Sequence, residues 1–266
     1  MTEVAPIRPL LASLAAVTWM VSAAMFLALE AIAAAAFRPR YSYANNFISD
    51  LGVPTPGMLD GHYIDSTRAA LMNFNFIADG VLFVTAAVLI FRATAALGDH
   101  LRTAFLVLAV VHGLGMTLVG TFHGSSEAIA DGTAKYHSLG AVLAICGANA
   151  AFILVGRNAR RLGASVSYGY ASSAIGMLGI VSAVVLVASG LDTLPGVWER
   201  GAAYSIMIWE IMTGSALLLS LNGRARNAAA ECDQVRDLQA AYAMLRLTSA
   251  STAAQPDAGS APNSPY

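Results

Sequence analysis

The sequence predicts an all-α membrane protein: a six-transmembrane-helix bundle with a long extracytoplasmic first loop and a cytoplasmic C-terminal tail. Three observations predict it. Of 266 residues, 57% are hydrophobic and only 12% are charged, against about 25% charged in a typical soluble domain. The apolar residues gather into six runs of about 20, the length one helix needs to cross a hydrocarbon core about 30 Å thick. The strict alternation of barrel strands is absent, and in lipid a helix satisfies its own backbone polar groups. A net charge of −1 offers no basic field for nucleic acid, so the expected partner is the lipid bilayer.

The elements follow in order. Residues 1–9 form a short cytoplasmic N-terminus, and residues 10–221 hold the six helices. The first helix spans about Leu10 to Phe37, with no charge from Leu10 to Leu29. Ala33 to Ala36 imitate a cleavage site, yet the run exceeds the roughly 7–15 residues of a signal-peptide core, so an uncleaved helix is expected. The second spans about Ala69 to Phe91 and carries Asp79; the third, Thr103 to Phe122, carries His112. The fourth, Ser138 to Gly156, and the fifth, Gly169 to Leu191, are uncharged apart from their flanks. The sixth, Gly201 to Leu221, carries Glu210. Residues 222–247 are expected to form a cytoplasmic amphipathic helix, because Val235, Leu238, Tyr242 and Leu245 share one helical face. Residues 248–266, rich in Ser, Thr, Ala and Pro, are expected to be disordered. Cys146, in an apolar run, and Cys232, in the polar tail, are expected to be free thiols.

Arginine and lysine near the helix ends predict orientation. With six spans both termini share a side. That side holds Arg8, Arg92, Arg102, Arg157, Arg160, Arg161, Arg224 and Arg226; the other holds Arg38, Arg40, Arg68, Lys135 and Arg200. The excess predicts cytoplasmic termini in the cell membrane. The extracytoplasmic connections then gather polar residues: Asp50 in the first loop, His123 after the third helix, His137 at the start of the fourth, and Glu199 with Arg200 at the start of the sixth. Ser49 and Asp50 suit a capped helix or turn.

The run Tyr41-Ser42 … Ile48-Ser49-Asp50-Leu51-Gly52 resembles the "YS…ISDLG" signature of the bacterial domain of unknown function 998 family. Gly120-Thr121-Phe122 is similar to that family's turn after its third helix, His137 to its histidine at the start of the fourth, and Gly196-Val197-Trp198-Glu199-Arg200 to its turn before the last helix. Helix number and order agree over about residues 10–221. The resemblance implies an architecture and names no activity. The chain differs in having His123 where the family has proline and in a longer loop between Gly52 and Arg68.

Ionisable residues inside membrane helices are costly and mark candidate functional positions. Asp79 and His112 lie near mid-span on consecutive antiparallel helices, where they are expected to pair, either as an interhelical clamp or as a proton relay or substrate contact. Glu210 is expected to join them or to meet Asn149, and Glu30 to reach water or Arg38. The extracytoplasmic cluster of Asp50, His123, His137, Glu199 and Arg200, with His62 nearby, also admits two readings. It locks the first loop to the bundle, with Arg200 pairing Asp50 and its guanidinium fork also suited to an anionic headgroup, or it supplies zinc ligands. The histidine spacing matches no metal motif, and no metal or other cofactor is expected. The expected function is a non-enzymatic membrane protein that binds or helps move a lipid-like or small amphipathic molecule, or supports a membrane complex. The rival is an intramembrane metal-dependent lipid hydrolase.

Overall fold

A computed structural model describes residues 7–59, 61–94, 99–189 and 193–253. It contains seven helices: α1 (Pro9–Ala35), α2 (Ala69–Ala93), α3 (Asp99–Thr121), α4 (Ser126–Ala130), α5 (Ala134–Arg157), α6 (Val166–Ser189) and α7 (Pro195–Ala253). All but the short α4 are long and apolar enough to cross a membrane. The protein is therefore a mostly helical, multi-pass membrane protein. The chain divides into two compact units at Leu218/Leu219.

In the first unit α1 packs on α2, α2 on α3, α3 on α5, and α5 on α6. Small residues set these distances. A Cβ on Gly115 of α3 would lie 2.6 Å from the Gly140 carbonyl oxygen of α5, so a side chain there would force the two backbones apart. The first turns of α7 close the bundle: a Cβ on Gly214 would sit 2.8 Å from the Ala16 carbonyl oxygen of α1. The centre is aromatic. Trp209 stacks on Phe152 with ring centroids 4.3 Å apart and meets Trp19 edge-on at 5.3 Å; Phe83 and Phe105 complete the cluster.

The loop between α1 and α2 is more ordered than its sequence predicts. It holds three short strands, β1 (Phe37–Arg38), β2 (Gly57–Leu59) and β3 (His62–Ser66), in the antiparallel order β1-β3-β2, with Phe37 opposite Ser66 and Leu59 opposite His62. Gly61 turns between β2 and β3 at φ +82°, a conformation only glycine takes without strain. A 3₁₀ turn, Ser49–Gly52, follows Ile48. Ser49 makes no side-chain cap there, contrary to expectation, because Ile48 occupies the capping position.

The second unit is the continuation of α7. The sequence reading ends one helix at Leu221 and starts another at 222; the structure runs a single helix through this point to Ala253. Proline is absent from this stretch, and its Ala, Arg, Gln and Leu residues are strong helix formers. Residues 248–253, expected to be disordered, are helical, and 254–266 lie outside the described residues. On the expected amphipathic face Val235 and Leu238 are exposed.

Candidate functional site

Two polar zones lie inside the first unit, and their hydrogen bonding differs. The first is at the end of the bundle that carries the α1–α2 loop. Arg200, buried on the second turn of α7, ion-pairs with Glu30 of α1 (Nη2–Oε1 2.9 Å) and donates to the Tyr41 hydroxyl. Its Nη1 donates to the carbonyls of Tyr43 (2.8 Å), Asn46 (3.0 Å) and Gly196 (3.1 Å). The Tyr204 hydroxyl donates to both Glu30 oxygens at 2.9 and 3.0 Å. Next to it, Glu199 accepts from the backbone N–H of Ile48. The sequence reading pairs Arg200 with Asp50 and Glu30 with Arg38. The structure replaces both pairs: Glu30 is one turn below the loop on the helix that faces Arg200, whereas Asp50 is turned toward β3.

Asp50 has its own partners. Its Oδ2 accepts from Asn46 Nδ2 and the Phe47 N–H, both at 3.1 Å, and meets His62 Nε2 at 3.2 Å. Strand alternation puts His62, Ile64 and Ser66 on the face of β3 that meets the 3₁₀ turn, where Ser66 Oγ donates to the Leu51 carbonyl at 2.6 Å. Burial raises the Asp50 pKa, opposed by the hydrogen bonds from Asn46 and His62. Burial also pushes the Tyr41 pKa up strongly, so its hydroxyl stays neutral and donates to the Phe47 carbonyl at 2.8 Å. In this zone all three carboxylates, Glu30, Glu199 and Asp50, and the two terminal nitrogens of Arg200 find partners, and the result is a lock between loop and bundle.

The second zone lies deeper. Asp79 is ten residues into α2, about 15 Å along its axis at 1.5 Å per residue. Its Oδ1 accepts from Ser22 Oγ of α1 at 2.9 Å. Its Oδ2 stands 3.5 Å from His112 Nε2 of α3, within ion-pair range but beyond a good hydrogen bond. His112 Nδ1 lies 3.0 Å from the Ala144 carbonyl of α5; a carbonyl only accepts, so Nδ1 carries a proton. Glu210 of α7 is fully buried and interacts electrostatically with Asp79. Asp79 Oδ2, His112 Nε2, both Glu210 oxygens and Trp19 Nε1 have no hydrogen-bond partner. Such buried orphans are rare and costly, the more so in a membrane interior. The aromatic cluster adjoins them: Phe83 stacks against His112 at 4.6 Å, and Trp209 is the chain neighbour of Glu210.

A family model described as a protein of unknown function (DUF998) matches residues 20–216. The chain belongs to the DUF998 family. Comparison with curated proteins and with solved structures gives no match. The matched span of this DUF998 protein takes in both polar zones, from Ser22 to Glu210.

The remaining sites expected from sequence fall elsewhere. His137 sits in the first turn of α5, which starts at Ala134 rather than Ser138, and its Nδ1 donates to the Phe122 carbonyl at 2.8 Å. His123, in the loop before α4, is half-buried, and burial lowers its pKa. Among the described residues, no three His, Cys, Asp or Glu side chains are grouped to hold a metal ion, so the geometry gives the zinc-hydrolase reading no ligand set. Asn149 does not meet Glu210; it accepts from Ser205 Oγ (2.8 Å) and donates to the Ala202 carbonyl (3.3 Å). Both cysteines are free. The residues that sequence reasoning leaves out of the deep site are Ser22, Trp19, Trp209 and Phe83. A signal for them exists: Trp19 and Ser22 are one turn apart on α1, and Trp209 directly precedes Glu210.

Proposed function

We propose that this protein binds a small amphipathic molecule with a cationic head, holding the head between α1, α2, α3 and α7 at Asp79 and Glu210. The observation that carries the reading is the set of unpartnered acceptors. Both Glu210 oxygens, and Asp79 Oδ2 beyond its long contact with His112, lack a hydrogen-bond partner in a fully buried site, and a cationic head supplies the missing charge and, if it is an amine, the missing donors. The aromatic walls support the same class, since ring faces attract cations. The polar lock at the loop end differs: there Glu30, Glu199 and Asp50 each accept within the chain, and Arg200 leaves only its Nε without a partner.

The test is binding of radiolabelled octyltrimethylammonium to the detergent-purified full chain, measured by equilibrium dialysis, with octanol as the neutral competitor of equal chain length. The expected result is saturable binding that octanol does not displace and that Glu210→Gln weakens by about tenfold or more, about 1.4 kcal/mol. Equal displacement by octanol, or unchanged affinity in Glu210→Gln, would overturn the reading.

A further inference from the structure

We propose that the Asp79–His112–Glu210 site exchanges a proton for its cation, so that binding leaves the charge of the bundle interior unchanged. The inference rests on the cationic-head reading and adds how the site behaves when empty. Three steps lead to it.

The first concerns the pair. His112 Nδ1–H is committed to the Ala144 carbonyl. The facing atoms, His112 Nε2 and Asp79 Oδ2 at 3.5 Å, are then two lone pairs unless a proton sits on one of them. With that single proton the pair is neutral, whether it is written as imidazolium and carboxylate or as imidazole and carboxylic acid. The second concerns Glu210. Neither of its oxygens has a hydrogen bond of good geometry, because the neighbouring Ser22 hydroxyl gives its one proton to Asp79 Oδ1, and an ionised carboxylate without a partner in an apolar interior costs several kcal/mol. In the empty site Glu210 therefore holds a proton. The third concerns the surroundings. From α1 the site receives the Ser22 hydroxyl and the Trp19 indole, from α5 the Ala144 carbonyl, and from α2, α3 and α7 only Asp79, His112 and Glu210 as titratable groups among the described residues. The other buried charges face elsewhere: Glu30 and Arg200 pair with each other at the loop end, Asp50 meets His62, and Arg102 donates to the Phe91 carbonyl. Among the described residues no arginine or lysine faces Glu210 to balance its ionised form.

The exchange balances. The cation enters, the Glu210 O–H bond breaks, its electron pair stays on the carboxylate, and the proton leaves to water. The site is neutral before and after.

The experiment is calorimetric titration of the purified full chain with octyltrimethylammonium, a permanently charged probe that carries no proton of its own, in two buffers of different ionisation enthalpy. The expected result is a heat that differs between buffers by one proton released per cation bound. Binding with the same heat in both buffers overturns the exchange and leaves the cationic-head reading standing; absence of binding overturns both. A second measurement does not depend on binding. Infrared spectroscopy of the empty protein should show a buried carboxylic-acid C=O stretch that is lost in Glu210→Gln and kept in Arg200→Lys, a control for general disturbance of the bundle. A spectrum without that band overturns the exchange even if the cation binds.

Discussion

At the residue scale, the two buried carboxylates of the outermost and deepest zones predict opposite mutational signs. Glu30 is matched by Arg200 and Tyr204. Removing the guanidinium strands a buried carboxylate and the loop carbonyls of Tyr43 and Asn46 together, so Arg200→Met should destabilise the bundle by about 3–5 kcal/mol. Lysine cannot restore the fork that spans Nη1 and Nη2 partners, and Arg200→Lys should recover only part of that loss. Glu210 has no charged partner to lose, and the nearby Ser22 hydroxyl donates to Asp79 instead. Glu210→Met fills the same space without a polar orphan and should raise the unfolding midpoint while abolishing cation binding, the trade expected where a protein holds an unsatisfied group for function. Unfolding of both variants in detergent, followed by tryptophan fluorescence, reads the two signs; a loss of stability in Glu210→Met would mean that Glu210 has a structural partner.

The ionisable residues outside the spans add a pH dependence. Burial raises Asp50 in the folded protein above its ordinary 3.8, so its contribution favours folding below that value and is lost as pH rises through the folded pKa. Burial lowers His123 below 6.5, so its contribution is full above 6.5 and is lost as pH falls from there toward the folded pKa. The two therefore oppose each other in mildly acidic solution. Asp50→Asn should steepen the loss of stability on acidification, and His123→Gln should flatten it, in thermal unfolding between pH 7.5 and about 4.5. Of these residue-scale facts, the Asp79–His112 proximity was legible, because depth along two antiparallel helices is readable from spacing. The Glu30–Arg200 pair was not, because it joins α1 to α7 and only the fold states which faces meet. A buried glutamate in an otherwise apolar span was the available clue.

At the element scale, the six long helices were legible because each is a run of about 20 apolar residues, a strong signal. The three strands were not, because strands of two, three and five residues are too short for alternation to register, and their pairing is fixed by tertiary contact with the 3₁₀ turn. The helices depend on close approach rather than on apolar burial, which lipid makes weak. Gly115 and Gly223 separate these effects. Gly115→Val would push a side chain into the α5 backbone and should cost about 1–3 kcal/mol or more. A Cβ on Gly223 meets nothing within 4 Å, so Gly223→Ala should gain about 0.5–1 kcal/mol of helix stability. A hydrogen-exchange comparison of α3–α5 amides in the first variant and of residues 219–239 in the second places each effect on its own element.

At the scale of the whole molecule, the remaining question is which face of the membrane carries the loop-end lock. The sequence count of basic residues put eight on the side of the termini and five on the other. Arg200 is consumed by Glu30 inside the bundle, so it contributes no free charge to hold its end in the cytoplasm, whereas Arg157 at the end of α5 and Arg160 and Arg161 just after it are exposed. Arg102, counted on the side of the termini, is likewise buried and held by the Phe91 carbonyl, so the excess is unchanged, and the positive-inside rule predicts cytoplasmic termini with the lock outside. Cysteine labelling tests this with the protein's own thiols. Cys232 lies in the exposed continuation of α7, and Cys146 on the surface of α5 within a span. A membrane-impermeant charged maleimide applied to intact cells should leave both unreacted: Cys232 because it is inside, Cys146 because the lipid around it disfavours the thiolate the reaction needs. Thr55→Cys, in the exposed loop beside β2, should react at once. Opening the cells should make Cys232 reactive and leave Cys146 silent until detergent is added. Labelling of Cys232 in intact cells with Thr55→Cys protected would invert the molecule and put the lock on the cytoplasmic side.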